Sequence, residues 1–169
     1  MGREGVFVLG GRKMIALKAV QPEQRQKLWN IFQKYLYEMT NYYDDVMDED
    51  GNYPYQYFDA YFEEPDRKAL FLYDGDSLVG FAMLNRHSNL GRASDHMLAE
   101  FTIFPLYRRR HLGLEAAREL FARYPGSWEV KYNLKNTGGK ALWTKAAQPY
   151  KPEIVPLNDD ELVLVFTAP

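Results

Sequence analysis

Ile103-Phe104-Pro105-Leu106-Tyr107-Arg108-Arg109-Arg110-His111-Leu112-Gly113-Leu114 joins a strand-like stretch to a helix-like one through a loop dense in positive charge. The start of a helix leaves backbone N–H groups without intrahelical partners, and the aligned peptide dipoles add partial positive charge. A diphosphate placed there gains hydrogen bonds and a favourable field together. Three successive arginines strengthen the attraction. Upstream, His96, Glu100 and Thr102 alternate with Met97, Ala99, Phe101 and Ile103, which predicts a strand with one wholly apolar face, ending at Pro105. Downstream, Ala116, Ala117, Leu120, Phe121 and Tyr124 recur at helical spacing and stop at Pro125-Gly126.

Working outward, Ile15 to Val20 reads as a strand. Pro22 opens an amphipathic helix that carries Leu28, Phe32, Tyr35, Leu36 and Met39 on one face. An acidic loop from Asp44 to Asn52 follows, then a short helix near Pro54 to Phe62. Ala69 to Tyr73 and Leu78 to Leu84 flank Asp74-Gly75-Asp76 as a hairpin, and Asn85 to Asp95 form a polar loop. After the arginine loop and its helix come a strand at Trp128 to Tyr132 and a helix from about Asn136 to Ala147. A final strand pair lies around Glu153 to Val155 and Leu162 to Phe166. The last run is apolar on both faces, which predicts an interior position in the sheet.

Arg108-x-x-His111-x-Gly113 resembles the R-x-x-G-x-G/A acetyl-CoA loop of the GNAT N-acetyltransferases, with histidine in place of the first glycine. His111 fits there with a negative φ, or in the left-handed region that histidine tolerates better than branched residues do. Asn136-Thr137-Gly138-Gly139-Lys140-Ala141-Leu142-Trp143 is similar to the family's N-x-x-A-x-x-F-Y helix beside the cofactor. Gly139 stands at the alanine position, where a small residue permits close approach, and Trp143 stands at the tyrosine. The closest likeness is to a subgroup with E-F-F-V before Y-R-R and W-E-V afterwards, here Glu100-Phe101-Thr102-Ile103 and Trp128-Glu129-Val130. The element order β-α-α-β-β-β-α-β-α-β-β resembles the GNAT fold from about Met14 to Pro169. The implied fold is α/β (α+β), a mixed central sheet of about six or seven strands flanked by about four helices. Residues 14–169 are expected to form the single acetyltransferase domain, with 1–13 a flexible leader or an extra N-terminal strand.

The resemblance implies an acetyl-CoA-dependent N-acetyltransferase acting by direct attack of a primary amine in a ternary complex. Cofactor contacts fall at Phe101, Ile103, Phe104, Arg108, Arg109, Arg110, His111, Leu112, Gly113, Leu114, Asn136 and Trp143, those at Phe101, Ile103 and Phe104 through the main chain. Chemistry needs a base, an oxyanion donor and a proton for the departing thiolate. Glu100 is the expected base, since alternation sets it apart from the apolar face and a partly buried carboxylate has a raised pKa; the alternative is deprotonation through water without a dedicated base. The Ile103 N–H is the expected oxyanion donor. Trp143 has an indole N–H that releases no proton at useful pH, so Tyr150 or Tyr132, or solvent, supplies the acid. Trp143 then packs against pantetheine or belongs to the core.

Substrate choice in this fold belongs to the early helices and their loop, where Tyr42, Tyr43, Asp44 and Asp45 sit. Carboxylates and aromatic faces both attract ammonium, so the expected acceptor is a small-molecule amine, polyamine-like, or a peptide amine. The alternative is a non-catalytic GNAT-like module that senses coenzyme A or another anion.

The 169 residues, 46% hydrophobic with net charge −2, suit one domain with a real core. The near balance of charge argues against broad nucleic-acid binding. No cysteine is present, which excludes disulfides, thiolate metal sites and a cysteine nucleophile, and three scattered histidines give no multi-histidine metal site. Gly139-Lys140 is not a nucleotide P-loop, because Leu134 and Ala141 stand where that motif needs glycine and Ser or Thr. No G-x-G-x-x-G follows a strand. No apolar run is long enough to span a bilayer and no secretory signal opens the chain, so no membrane partner is expected, and the cysteine and histidine counts leave no metal expected. A cytoplasmic monomer or homodimer is expected.

Overall fold

The structure, a computed structural model, describes residues 15–169 and the backbone of Val8–Leu9 and Arg12–Lys13. Those two short segments, β1 (Val8–Leu9) and β2 (Arg12–Lys13), pair antiparallel as a separate two-stranded sheet. The rest of the expected leader lies outside the described residues.

Seven strands form the main sheet: β3 (Ala16–Ala19), β4 (Lys68–Asp74), β5 (Ser77–Asn85), β6 (His96–Ile103), β7 (Gly126–Asn133), β8 (Glu153–Pro156) and β9 (Glu161–Ala168), in the order β3-β4-β5-β6-β7-β9-β8. Among the described residues four helices flank it: α1 (Arg25–Met39), α2 (Ala60–Glu63), α3 (Leu112–Arg123) and α4 (Thr137–Ala147). The mixed sheet and its helices are those expected, and the apolar Leu162 to Phe166 run lies inside the sheet, between β7 and β8.

Pro22 opens a 3-10 turn that Gln21 and Gln24 close reciprocally before α1, and Leu28, Phe32 and Leu36 form the buried stripe of that helix. The stripe packs with Tyr53, Phe58 and Tyr61 on Phe71, Phe81 and Met83, covering one face of the sheet. On the other face, α3 and α4 bury Ala116, Ala117, Leu120, Phe121, Trp143 and Ala146 against Leu98, Trp128, Val130 and Leu164.

The helix expected at Pro54 to Phe62 is shorter, only Ala60–Glu63. Gln33 takes over the backbone at its approach, accepting from Tyr53 N at 2.6 Å and donating to Tyr53 O at 2.9 Å. Tyr55 and Phe58 pack on Phe32 at 4.7 and 5.9 Å between ring centroids. Aromatic burial on α1 fixes the path of this segment in place of a helical hydrogen-bond ladder. In the hairpin, Gly75 takes φ 60 at the first position of a two-residue turn between Asp74 and Ser77.

Among the described residues all strand pairings of the main sheet are antiparallel except β6 with β7, which α3 connects. That parallel pairing covers only His96–Leu98 against Trp128–Val130. Beyond it, Phe101 to Ile103 and Lys131 to Asn133 part.

Candidate active site

A β-bulge corrects the simple alternation expected along β6. Glu100 pairs with Met83 but Leu98 pairs with Leu84, so Ala99 is the extra residue. Before the bulge His96 and Leu98 face α3, with His96 on Trp128 at 4.9 Å. After it Phe101 and Ile103 face that side, while Ala99, Glu100 and Thr102 face α1. The predicted single apolar face of Met97, Ala99, Phe101 and Ile103 is therefore split between the two sides, and His96 is parted from Glu100. Two neighbouring residues on one face aim the Glu100 carboxylate at α1.

The ladder on the β5 side also orients the main chain. Phe104 N donates to Val79 O at 2.8 Å, and by the alternation of antiparallel bonds the amides of Ile103 and Phe101 turn away from β5, towards the gap where β7 has left. Gly80 allows the close passage of this segment: a Cβ there would lie 2.1 Å from the Thr102 carbonyl oxygen. A cavity of about 270 Å³ fills the gap, reaching from Trp143 and Asn136 on α4 to Tyr35, Tyr43 and Asp45 on the α1 side.

Glu100 lies at the waist of this opening. Tyr35 donates to its Oε2 at 2.6 Å. Burial raises its pKa from an ordinary 4.5 to about 7, against the lowering effect of the Tyr35 hydroxyl, the Lys131 charge and Tyr55, while Asp45 adds to the rise. Burial, then the Glu100 charge, pushes the Tyr35 and Tyr55 phenols well up, so both stay protonated donors. The carboxyl therefore titrates near neutrality, the property of a proton acceptor at working pH.

At the end of β6 the chain makes a 3-10 turn over Pro105–Tyr107, then Arg109 and His111 both take left-handed backbone, at φ 64 and φ 62. His111 thus uses the less common of its two expected conformations. Glu115 N donating to His111 O at 3.1 Å is the opening bond of α3, so the amides of Leu112, Gly113 and Leu114 precede the helical ladder and point out of its end. The Leu112 side chain is buried, which leaves its backbone as the available group. A Cβ at Gly113 would meet Leu142 at an ordinary 3.4 Å.

The arginines divide. Arg108 is engaged within the chain: its guanidinium donates to both Glu38 oxygens at 2.6 and 3.0 Å, to Ile103 O at 2.7 Å and to Thr102 Oγ1 at 3.3 Å. It ties the loop to α1. Arg109 and Arg110 are exposed, with Arg110 over the Tyr107 ring at 5.9 Å.

Asn136 caps α4, accepting from Gly139 N at 2.9 Å. A Cβ at Gly139 would fall 2.8 Å from the Asn136 Nδ2, so a larger residue there would shift the capping side chain of the same helix. Trp143 meets Phe101 edge-on at 4.9 Å and lines the gap with it. Phe104 packs on the α1 side.

Tyr150 is not brought to Glu100. It stacks on Phe166 at 5.4 Å and meets Phe121 at 5.8 Å, outside the residues lining the gap, whereas Tyr132 lines it. Of the four expected substrate residues, Tyr42, Tyr43 and Asp45 line the cavity and Asp44 is exposed outside it. Tyr43 donates to Glu161 at 2.8 Å, and Glu161 pairs with Lys131 at 2.9 Å, anchoring this lip to β7 and β9. Sequence reasoning missed the role of Tyr35 and all of Tyr55, Lys131 and Asn133. Tyr35, three residues after Phe32, reads as part of the apolar stripe of α1, and only the bulge brings a carboxylate to its hydroxyl.

Among the described residues, no cluster of three or more His, Cys, Asp or Glu side chains is placed to hold a metal ion. Among them, too, no helix is long and apolar enough to cross a membrane.

A sheet opened between two parallel strands, with a helix start of outward-pointing amides at one end and a near-neutral carboxyl on the opposite face, suits a group transferase drawing on a phosphate-bearing cosubstrate. The chain belongs to the acetyltransferase (GNAT) family, whose model matches residues 25–147, and so to the acetyl-CoA-dependent acetyltransferases. No curated protein sequence matches it. Among solved structures it is similar to an acetyltransferase from Thermus thermophilus, with TM-score 0.65, 17% identity, and 91% of this chain and 97% of that one covered. It is also similar to spermidine N-acetyltransferase from Vibrio cholerae in complex with CoA and spermine, with TM-score 0.65, 11% identity and coverage of 92% and 96%. A third is the GNAT domain of S. lividans PAT, with TM-score 0.65, 13% identity and coverage of 89% of each chain. At such identities these likenesses speak for the fold.

Proposed function

We propose that this protein transfers an acetyl group from acetyl-CoA to a primary amine by direct attack in a ternary complex, one domain from about residue 14 to 169 carrying the whole site. The observation that carries the reading is the Glu100 carboxyl, set at the waist of the opened sheet with its pKa lifted to about 7.

Acetyl-CoA supplies the activated thioester. The amides of Leu112, Gly113 and Leu114, with Arg109 and Arg110, fit its diphosphate, because a helix start with flanking guanidinium groups offers hydrogen bonds and charge together. The main-chain groups of Phe101, turned into the gap, fit a pantetheine amide chain, and Trp143 and Phe101 give it an apolar wall. Glu100 accepts the proton of the attacking amine as the N–C bond forms. The Ile103 N–H stabilises the oxyanion, and the C–S bond then breaks as the intermediate collapses. Tyr132, or solvent, returns a proton to the thiolate. Asp45, with Tyr42 and Tyr43, draws the ammonium form of the acceptor to the cavity, where it loses one proton to solvent before it attacks as the neutral amine.

The test is release of free thiol from acetyl-CoA across a panel of primary amines. Amine-dependent thiol release supports the reading. Coenzyme binding without thiol release from any amine marks a sensor module instead.

A further inference from the structure

A second cavity, of about 400 Å³, backs onto Glu100 from the α1 side. Its size is that of small-molecule sites. Leu98, Ala99, Glu100 and Lys131 line both cavities, so what occupies this one reaches the same carboxyl. Its chemistry differs from that of the first. The far wall carries Arg67, Asn85 and His87, and Glu100 is the one carboxylate among its lining residues.

Arg67 is built into this wall. The residue is 9% exposed, with its guanidinium lying over the Tyr57 and Tyr61 rings at 4.9 and 5.4 Å. Its Nε donates to Glu64 at 2.6 Å and the guanidinium also bonds Tyr61, which leaves further N–H donors of its five for a planar anion. Burial works against its charge, but Glu64 and Tyr61 keep it protonated. Asn85, 5% exposed, donates to the Tyr61 hydroxyl at 2.9 Å and accepts from His87 N at 2.8 Å, which fixes the backbone of His87 at the rim. Glu129, 1% exposed, holds the next turn by accepting from Asn89 N at 2.9 Å and from Ser88. A buried guanidinium held by aromatic rings, beside a pinned loop carrying an imidazole, is a rigid receptor for negative charge.

We propose that the acceptor is zwitterionic: a small molecule whose primary amine meets Glu100 and whose carboxylate or phosphate rests on Arg67, with His87 closing the rim. The proposal depends on the transferase reading above and names its substrate class. Asp45 and Glu100 attract one end of such a molecule and Arg67 the other. A diamine would set its second ammonium against Arg67.

The test measures thiol release from acetyl-CoA with straight-chain ω-amino acids of increasing length, their amides, the matching aminoalkyl phosphates and diamines. The acid or the phosphate of the best length exceeds its amide by about tenfold or more in kcat/KM, mainly through KM, the size of one charge-assisted contact. Phosphate above carboxylate at equal length names the phosphate, and the reverse names the carboxylate. Arg67→Gln and, separately, His87→Gln pull the acid-to-amide ratio towards one, and Arg67→Lys restores part of it. Thermal melting checks the fold of the buried Arg67 variants, and the exposed His87 gives an arm free of that concern. Amides or diamines equal to or better than the acids overturn the subsite and leave the transferase standing. No thiol release from any amine, with coenzyme bound, removes the transferase reading and the subsite with it.

Discussion

The two faces of β6 are built from different materials. On the α3 side the site is mostly main chain: the turned amides of Phe101 and Ile103 and the helix start at Leu112 to Leu114, with Trp143 as the packing wall. On the α1 side it is side chain: Glu100 held by Tyr35, with Tyr55, Lys131, Arg67 and His87 converging from separate elements. A backbone site depends on the path of the chain, which His111 keeps at φ 62. A side-chain site stands or falls with each group, so the first predictions strike the α1 face and the later ones the α3 face.

The largest effect is expected from Glu100→Gln. Loss of a positioned base lowers kcat roughly 100-fold or more at neutral pH. In the parent, kcat/KM rises through about pH 7 as Glu100 ionises, and this limb disappears in the variant. Retention of the limb in pH-rate measurements would remove Glu100 as base. Stability moves the other way. Because the folded pKa stands above the ordinary 4.5, the contribution of Glu100 to stability is complete below 4.5 and is lost as pH rises through about 7. Glutamine mimics the protonated carboxyl, so the variant melts with the parent at pH 4 and above it at pH 8, by up to about 3 kcal/mol. Equal melting at both values would place the carboxylate in water.

On the α3 face, Arg109→Ala with Arg110→Ala is expected to weaken acetyl-CoA binding about tenfold and to flatten its salt dependence, since both guanidinium groups are solvent-exposed. Titration calorimetry at two salt concentrations reads both effects. Unchanged affinity would move the diphosphate elsewhere and leave the loop a structural cap.

How much of this was legible in the sequence follows the same division. The arginine loop, its helix and the strand before it occupy one continuous stretch, so local spacing disclosed these elements, and the resemblance they carry implied the fold. The α1 face draws on residues 35, 55, 67, 85, 87, 100 and 131, whose meeting depends on tertiary packing. The bulge at Ala99 is the clearest case: one extra residue moved Glu100 and Thr102 to the face opposite His96, which strict alternation had denied. Tyr150 lies apart from the gap for a related reason, because its ring packs against Phe121 and Phe166.

Arg108 joins the two faces. Its pair with Glu38 crosses from the loop to α1, half exposed on both sides. A double-mutant cycle of Glu38→Ala and Arg108→Ala is expected to give a coupling of about 0.5–1 kcal/mol in stability, the range of ion pairs in such settings. Each single change is expected to raise the KM for acetyl-CoA by a small, similar factor, because both loosen the same loop. An Arg108→Ala effect on KM far exceeding that of Glu38→Ala would show that Arg108 leaves Glu38 to contact the diphosphate directly.

The smallest effect tests the backbone character of the α3 face. His111 holds φ 62 without a capping side-chain bond, a conformation costly for a residue with a Cβ and free of that cost for glycine. Glycine also loosens the unfolded chain, so the net gain of His111→Gly is about 0.5–1 kcal/mol, a rise in Tm of a few degrees. If the amides of Leu112 to Leu114 do the gripping, coenzyme affinity in this variant follows the geometry of the loop and does not fall with the loss of the imidazole. A drop of tenfold or more in affinity, with melting temperature raised, would mean that the His111 side chain itself holds phosphate, and the division between a main-chain face and a side-chain face would no longer describe this molecule.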